Sequence, residues 1–174
     1  MRPCYALALL ALSCAGATDD AQATPCALAV SVPGYLAPAA EGAAERLRAA
    51  TGCELTLADS GMPLTFVPGT IVNELGEPAC GDSLIATVAS GRVLESRGME
   101  IDWTSRGCPT AESLIIHESM HVLANPPGSM YDGGHGTDGV FSDYQTADSS
   151  PRLTAGSLEF FCSRAACTAF VPEL

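Results

Sequence analysis

The sequence predicts an α+β domain: a mixed, mainly five-stranded twisted sheet with a first helix, a central helix and a C-terminal helix. Three observations predict it. Five short segments, partly β-branched and bounded by Gly, Pro, Asp or Asn, read as strands. Two runs of helical length and composition, residues 38–50 and 110–124, lie among and after them. A chain of 174 residues, 47% hydrophobic and without low-complexity tracts, suits one globular core.

Residues 1–17 carry one positive charge at Arg2, an apolar run from Tyr5 to Leu12 and small residues after it, the layout of a secretory signal. The run is too short for a membrane helix. Ala15-Gly16-Ala17 suits cleavage by a signal peptidase, and Leu12-Ser13-Cys14 suits a lipoprotein box in which Cys14 becomes a lipid anchor. Both routes place the product outside the cytoplasm. Residues 18–25 read as a linker, with no room for a propeptide, and the domain is expected over 26–174.

CALAVSV is the first strand. PAAEGAAERLRAA follows as a helix, with Pro38 at its start and Gly52 just past its end. ELTLA, PLTFV, LIATVA and RVLESRGMEIDW continue the sheet, with the longest loop expected over 68–83. TAESLIIHESMHVLA is the central helix, capped by Thr110 and ended by Asn125-Pro126-Pro127. Residues 128–151 are rich in Gly, Ser and Asp and read as irregular. LTAGSLEFFCSRAAC gives the closing helix.

Composition excludes several functions. Without Arg2, seven arginines face 20 acidic residues, a formal charge of −13. A surface this acidic repels phosphate, so no nucleic-acid partner is expected. The chain has no lysine, which excludes Schiff-base chemistry and a lysine-dependent phosphate loop. Cys26, Cys53, Cys80, Cys108, Cys162 and Cys167 are even in number and dispersed, as three disulfides in an exported protein would be.

The central helix contains His117-Glu118-Ser119-Met120-His121. Residues four apart share a helix face, so both imidazoles reach one zinc ion while Glu118 stands beside them as general base. Zinc with an open coordination position lowers the pKa of its bound water to about 7. A chance match of this motif is expected on the order of once in a hundred or more chains of this length. Leu114, Ile115, Ile116, Val122 and Leu123 around it suit a helix anchored in the core.

With this motif the chain resembles the metzincin zinc peptidases, and among them the matrixin-like group, whose signature is H-E-x-x-H-x-x-G-x-x-H followed by a methionine turn. ERLRAATGCELTLA is similar to that family's first helix and second strand. MEIDW is similar to the strand that precedes the zinc helix and lines the substrate cleft, and LTAGSLEFFC to the closing helix. The chain departs from the signature at Ala124, where the family has Gly, and at Pro127, where it has the third His.

One way to complete the zinc site delays the third ligand to His135, flanked by Gly133, Gly134 and Gly136, with Phe141 in place of the turn methionine. The other takes Gly128–Tyr131 as the methionine turn, with Met130 under the metal. Asp132, Asp138, Asp143 and Glu159 are the carboxylate alternatives to His135. Tyr131 and Tyr144 are candidates to hydrogen-bond an oxyanion, and Trp103 is core or a wall of the cleft.

The expected function is a secreted zinc-dependent endopeptidase. His117, His121 and His135 hold Zn2+, Glu118 is the base, the substrate is a protein or peptide, and the chain is a monomer touching a membrane only through Cys14. The alternative is a non-catalytic secreted or lipid-anchored binding protein that retains the metzincin-like fold.

Overall fold

The computed structural model describes residues 26–69, 71–72, 76, 78–131 and 167. The expected signal (1–17), linker (18–25) and closing helix lie outside the described residues, apart from Cys167 in the last.

In chain order the elements are β1 (Ala27–Ser31), a single 3-10 turn (Gly34–Leu36), α1 (Ala37–Thr51), β2 (Glu54–Leu57), β3 (Met62–Phe66), β4 (Ile71–Val72), β5 (Pro78–Ala79), β6 (Gly81–Thr87), β7 (Val93–Ile101) and α2 (Ala111–Ala124). The main sheet has the order β2-β1-β3-β7-β6. Its first four strands run parallel, and β6 alone runs antiparallel, against β7. The architecture is thus α+β with a five-stranded mixed sheet, as the sequence predicts.

The crossover from β1 to β2 is carried by α1, as parallel neighbours require. Ala40, Ala43, Leu47 and Ala50 recur at intervals of three and four and are fully buried. Gly52 ends the helix in the left-handed conformation (φ 69°), its N–H donating to Arg48 O at 2.9 Å. Gly61 allows a close approach of two backbones: a Cβ there would lie 2.6 Å from main-chain atoms of Val30.

Because α1 and α2 pack against each other and both against the sheet, they share one of its faces. The core between them holds Val30, Leu55, Leu64, Met99 and Ile101 from the strands and Leu114, Ile115, Ile116 and Met120 from α2. A bond from Arg46 Nη1 to Glu112 Oε1 at 2.9 Å links the helices at the rim. Disulfides Cys26–Cys53 and Cys80–Cys108 staple the start of β1 to the α1–β2 turn and the start of β6 to the loop before α2. Cys167 is disulfide-bonded as well, and its Sγ lies 3.9 Å from that of Cys53.

One expectation needs correction. The stretch 68–83 is not one loop: Ile71 pairs with Ala79 and Val72 with Pro78 in a small antiparallel ladder, and β6 starts at Gly81. Met99–Ile101 end β7, which is paired on both sides, and the outer strand beside it is β6. Alternation of side chains identifies a strand but says nothing about its rank in the sheet.

Candidate metal centre

The fourteen residues of α2 contain neither Gly nor Pro, and Thr110 caps them: its Oγ1 accepts from Ser113 N at 3.3 Å. The helix stops at Asn125, ahead of Pro126. Asn125 is fully buried, and its Nδ2 donates to His121 O at 2.8 Å, satisfying a carbonyl that the helix end leaves open. The turn that carries His121 is therefore closed by the residue that ends the helix.

Burial runs almost all round α2, through Ser113, Leu114, Ile115, Ile116, Glu118, Ser119, Met120, His121, Val122 and Ala124. A helix immersed this way owes its place to packing more than to amphipathicity. Ser119 Oγ faces Met99 Sδ at 3.8 Å, which seats the helix on β7.

His117 and His121 meet by their Nε2 atoms, 3.1 Å apart, with the rings edge to face at 76°. Zinc–nitrogen bonds of 2.0–2.1 Å at a tetrahedral angle separate two ligand nitrogens by about 3.3–3.4 Å. The pair thus stands within a few tenths of an ångström of what one zinc ion asks of two imidazoles. Both nitrogens are of the type that serves zinc, and the pair fits two of the positions such an ion needs. Among the described residues, no group of three or more His, Cys, Asp or Glu side chains is placed to hold a metal ion.

Glu118, between the two histidines in sequence, is 3% exposed. Ser83 Oγ on β6 donates to its Oε2 at 2.7 Å and lies 3.0 Å from its main-chain oxygen. Burial pushes its carboxyl up to about 8; the charge of Asp82 adds to the rise and the Ser83 hydrogen bond opposes it. A dication on the neighbouring imidazoles acts in the opposite direction and favours the carboxylate.

The other expected residues are distributed differently. His135, Asp132, Asp138, Asp143, Glu159, Phe141 and Tyr144 lie outside the described residues. The segment Gly128–Tyr131 runs beside the β6–β7 turn: Gly128 N donates to Val93 O, Val93 N to Ser129 O and Tyr131 N to Gly91 O, each at 2.8 Å. Met130 bridges to Arg92 there and is 53% exposed, where a methionine packed beneath a metal would be buried. With Ala124, Pro126 and Ser129 it lines an open cleft beyond the helix end. Trp103 packs on the core side, its ring 4.2 Å from Phe66 and 6.5 Å from Tyr35.

Sequence reading missed Ser83 and Gly81. They precede Glu118 by more than thirty residues on another element, and a serine and a glycine in a strand carry no motif. Only the pairing of β6 with β7, and of both with α2, brings them to the glutamate. Comparison of the chain with protein-family models, with curated proteins and with solved structures finds no match.

Proposed function

We propose that this protein is an exported zinc-dependent endopeptidase of metzincin-like, matrixin-like design. One observation carries the reading: the Nε2 atoms of His117 and His121 converge to 3.1 Å on one face of α2, and the residue between them in the motif is a buried glutamate held by hydrogen bond. The α1-to-β2 passage and the placing of α2 after β7 agree with the order of elements that the resemblance implies. The disulfides suit an oxidising compartment, reached by free secretion or by a lipid anchor at Cys14.

His117 and His121 hold zinc through Nε2, and His135 is proposed as the third ligand. The metal, when bound, supplies a Lewis acid that polarises the scissile carbonyl and acidifies water. Glu118 accepts the proton that water loses on adding to that carbonyl and returns it to the leaving amine. Walls of β6 and α2 keep bulk water from the glutamate. Protein or peptide chains are the proposed substrates, and a monomer is the proposed working unit.

Metal content and peptide hydrolysis test the proposal together. About one zinc per chain is expected, lost in the His117→Ala, His121→Ala double variant. Glu118→Ala should keep zinc and fold and lose hydrolysis; a variant that still cleaves peptides removes Glu118 as the base. His135→Ala should weaken zinc binding at least about tenfold and abolish activity, with milder effects from Asp138→Ala and Asp143→Ala. The reverse pattern reassigns the third ligand to a carboxylate. A wild-type protein that holds zinc but cleaves no peptide favours the non-catalytic binding protein.

A further inference from the structure

Glu118 is held from outside its own helix, by the edge strand β6. Ser83 Oγ lies 2.7 Å from Glu118 Oε2 and 3.0 Å from the main-chain oxygen of the same residue. Two residues earlier, on the same face of the strand, Gly81 leaves open the space into which the carboxylate fits. A Cβ at position 81 would run into Oε1 and sit 3.0 Å from Cδ and 3.2 Å from Cγ of Glu118. Those blocking atoms are the end of a side chain, so an alanine there displaces the carboxylate more readily than the strand.

We propose that Ser83 is the positioning residue for Glu118, with Gly81 as the clearance that admits the side chain. The inference rests on the peptidase reading above. A serine hydroxyl has one proton to donate and two lone pairs to accept with. Opposite a carboxylate, Ser83 donates to Oε2. When Glu118 takes a proton from water on Oε1, the oxygen not bonded to Ser83, its Oε2 goes on accepting from the serine hydroxyl. The serine keeps its proton throughout. The proton that travels passes from water to Glu118 and from Glu118 to the leaving amine. Because the hydroxyl stands between two oxygens of one residue, the glutamate changes charge without losing its partner or its place, which keeps reorganisation during the reaction small.

The test uses the full mature chain loaded with zinc and three variants, Ser83→Ala, Ser83→Thr and Gly81→Ala. Ser83→Ala is expected to keep its zinc and to lower kcat about tenfold or more, with KM changed by less than about twofold. Ser83→Thr, which retains the hydroxyl, should recover most of that loss, and Gly81→Ala should lower kcat without loss of zinc. A readout apart from activity is the crystal structure of zinc-loaded Ser83→Ala, in which the Glu118 carboxylate is expected to leave its position while His117 and His121 stay. An unchanged kcat, a carboxylate that holds its place without the serine, or a fall in zinc content parallel to kcat overturns the proposal. If the wild-type protein cleaves no peptide but the carboxylate is still released in Ser83→Ala, the peptidase reading falls and the positioning of Glu118 by Ser83 stands.

Discussion

Asp102 and Glu118 are both closed to solvent, and their carboxyls are driven in opposite directions. Glu118 has one hydroxyl for company, and burial dominates. Asp102 follows β7, in a turn that wraps it: it accepts from the hydroxyls of Ser105 and Thr104, each at 2.6 Å, and from the backbone N–H groups of Thr104, Ser105 and Gly69. The turn itself, more than depth in the protein, shuts out water. Led by the Ser105 and Thr104 hydroxyls, these donors hold the Asp102 carboxyl well below its ordinary value. A carboxyl depressed in the folded state contributes stability above the unfolded value of about 3.9 and loses it as pH falls below that. Asp102→Asn should therefore lower the Tm at pH 7, with the gap to wild type closing steadily toward pH 2. A gap independent of pH would show that the charge of Asp102 contributes nothing. Neither behaviour is legible in the sequence, where both residues are simply acids near a strand or helix.

At the scale of elements, the two helices were readable to within a residue or two because their signals are local: Thr110 and Asn125 bracket α2, and Pro38 and Gly52 bracket α1. Thr110→Ala should cost about 1 kcal/mol in chemical denaturation, from the lost cap alone. On the proposed zinc reading, metal content should stay the same, since His117 lies nearly two turns away. The buried face of α1 is made mostly of small residues, and Ala43 on it is fully buried in the core. Ala43→Leu should destabilise by about 1–3 kcal/mol through overpacking; a neutral or stabilising result would mean that the core beside α1 has room to spare. The β4–β5 ladder escaped sequence reading because strands of two residues show no alternation. The outer rank of β6 escaped it because that rank follows from the pairing of its neighbour β7 with β3, more than thirty residues earlier in the chain.

Over the whole molecule, the cysteine count announced cross-links, and two of the bonds join residues 27 and 28 positions apart. Loops of that length correspond to about 3.5 kcal/mol each in chain-entropy terms. The double variant Cys80→Ala, Cys108→Ala should lose about that much stability in denaturant titration. On the proposed peptidase reading it should also lose hydrolysis sooner than fold, because this bond anchors the start of β6, next to Gly81 and Ser83, to the loop that leads into α2. A variant as stable as wild type would show that packing alone holds β6 in place. Reduction of the native protein should add two hydrogens for each of three disulfides, read by mass spectrometry, and free thiols in the unreduced protein would contradict the third.

The sequence by itself determined the α+β class, the two helices and their ends, the strand segments of the main sheet, and the one turn of helix on which His117, Glu118 and His121 stand together. All of these follow from interactions within a few residues: capping, periodicity and the geometry of i, i+4. Tertiary structure decided the strand order, the choice of β6 as the outer strand, the pairing of Cys26 with Cys53 and of Cys80 with Cys108, and the seat of Glu118 between Gly81 and Ser83. Most of these join residues more than twenty positions apart, and such contacts are selected by the packing of the whole core, for which a single sequence carries no local sign.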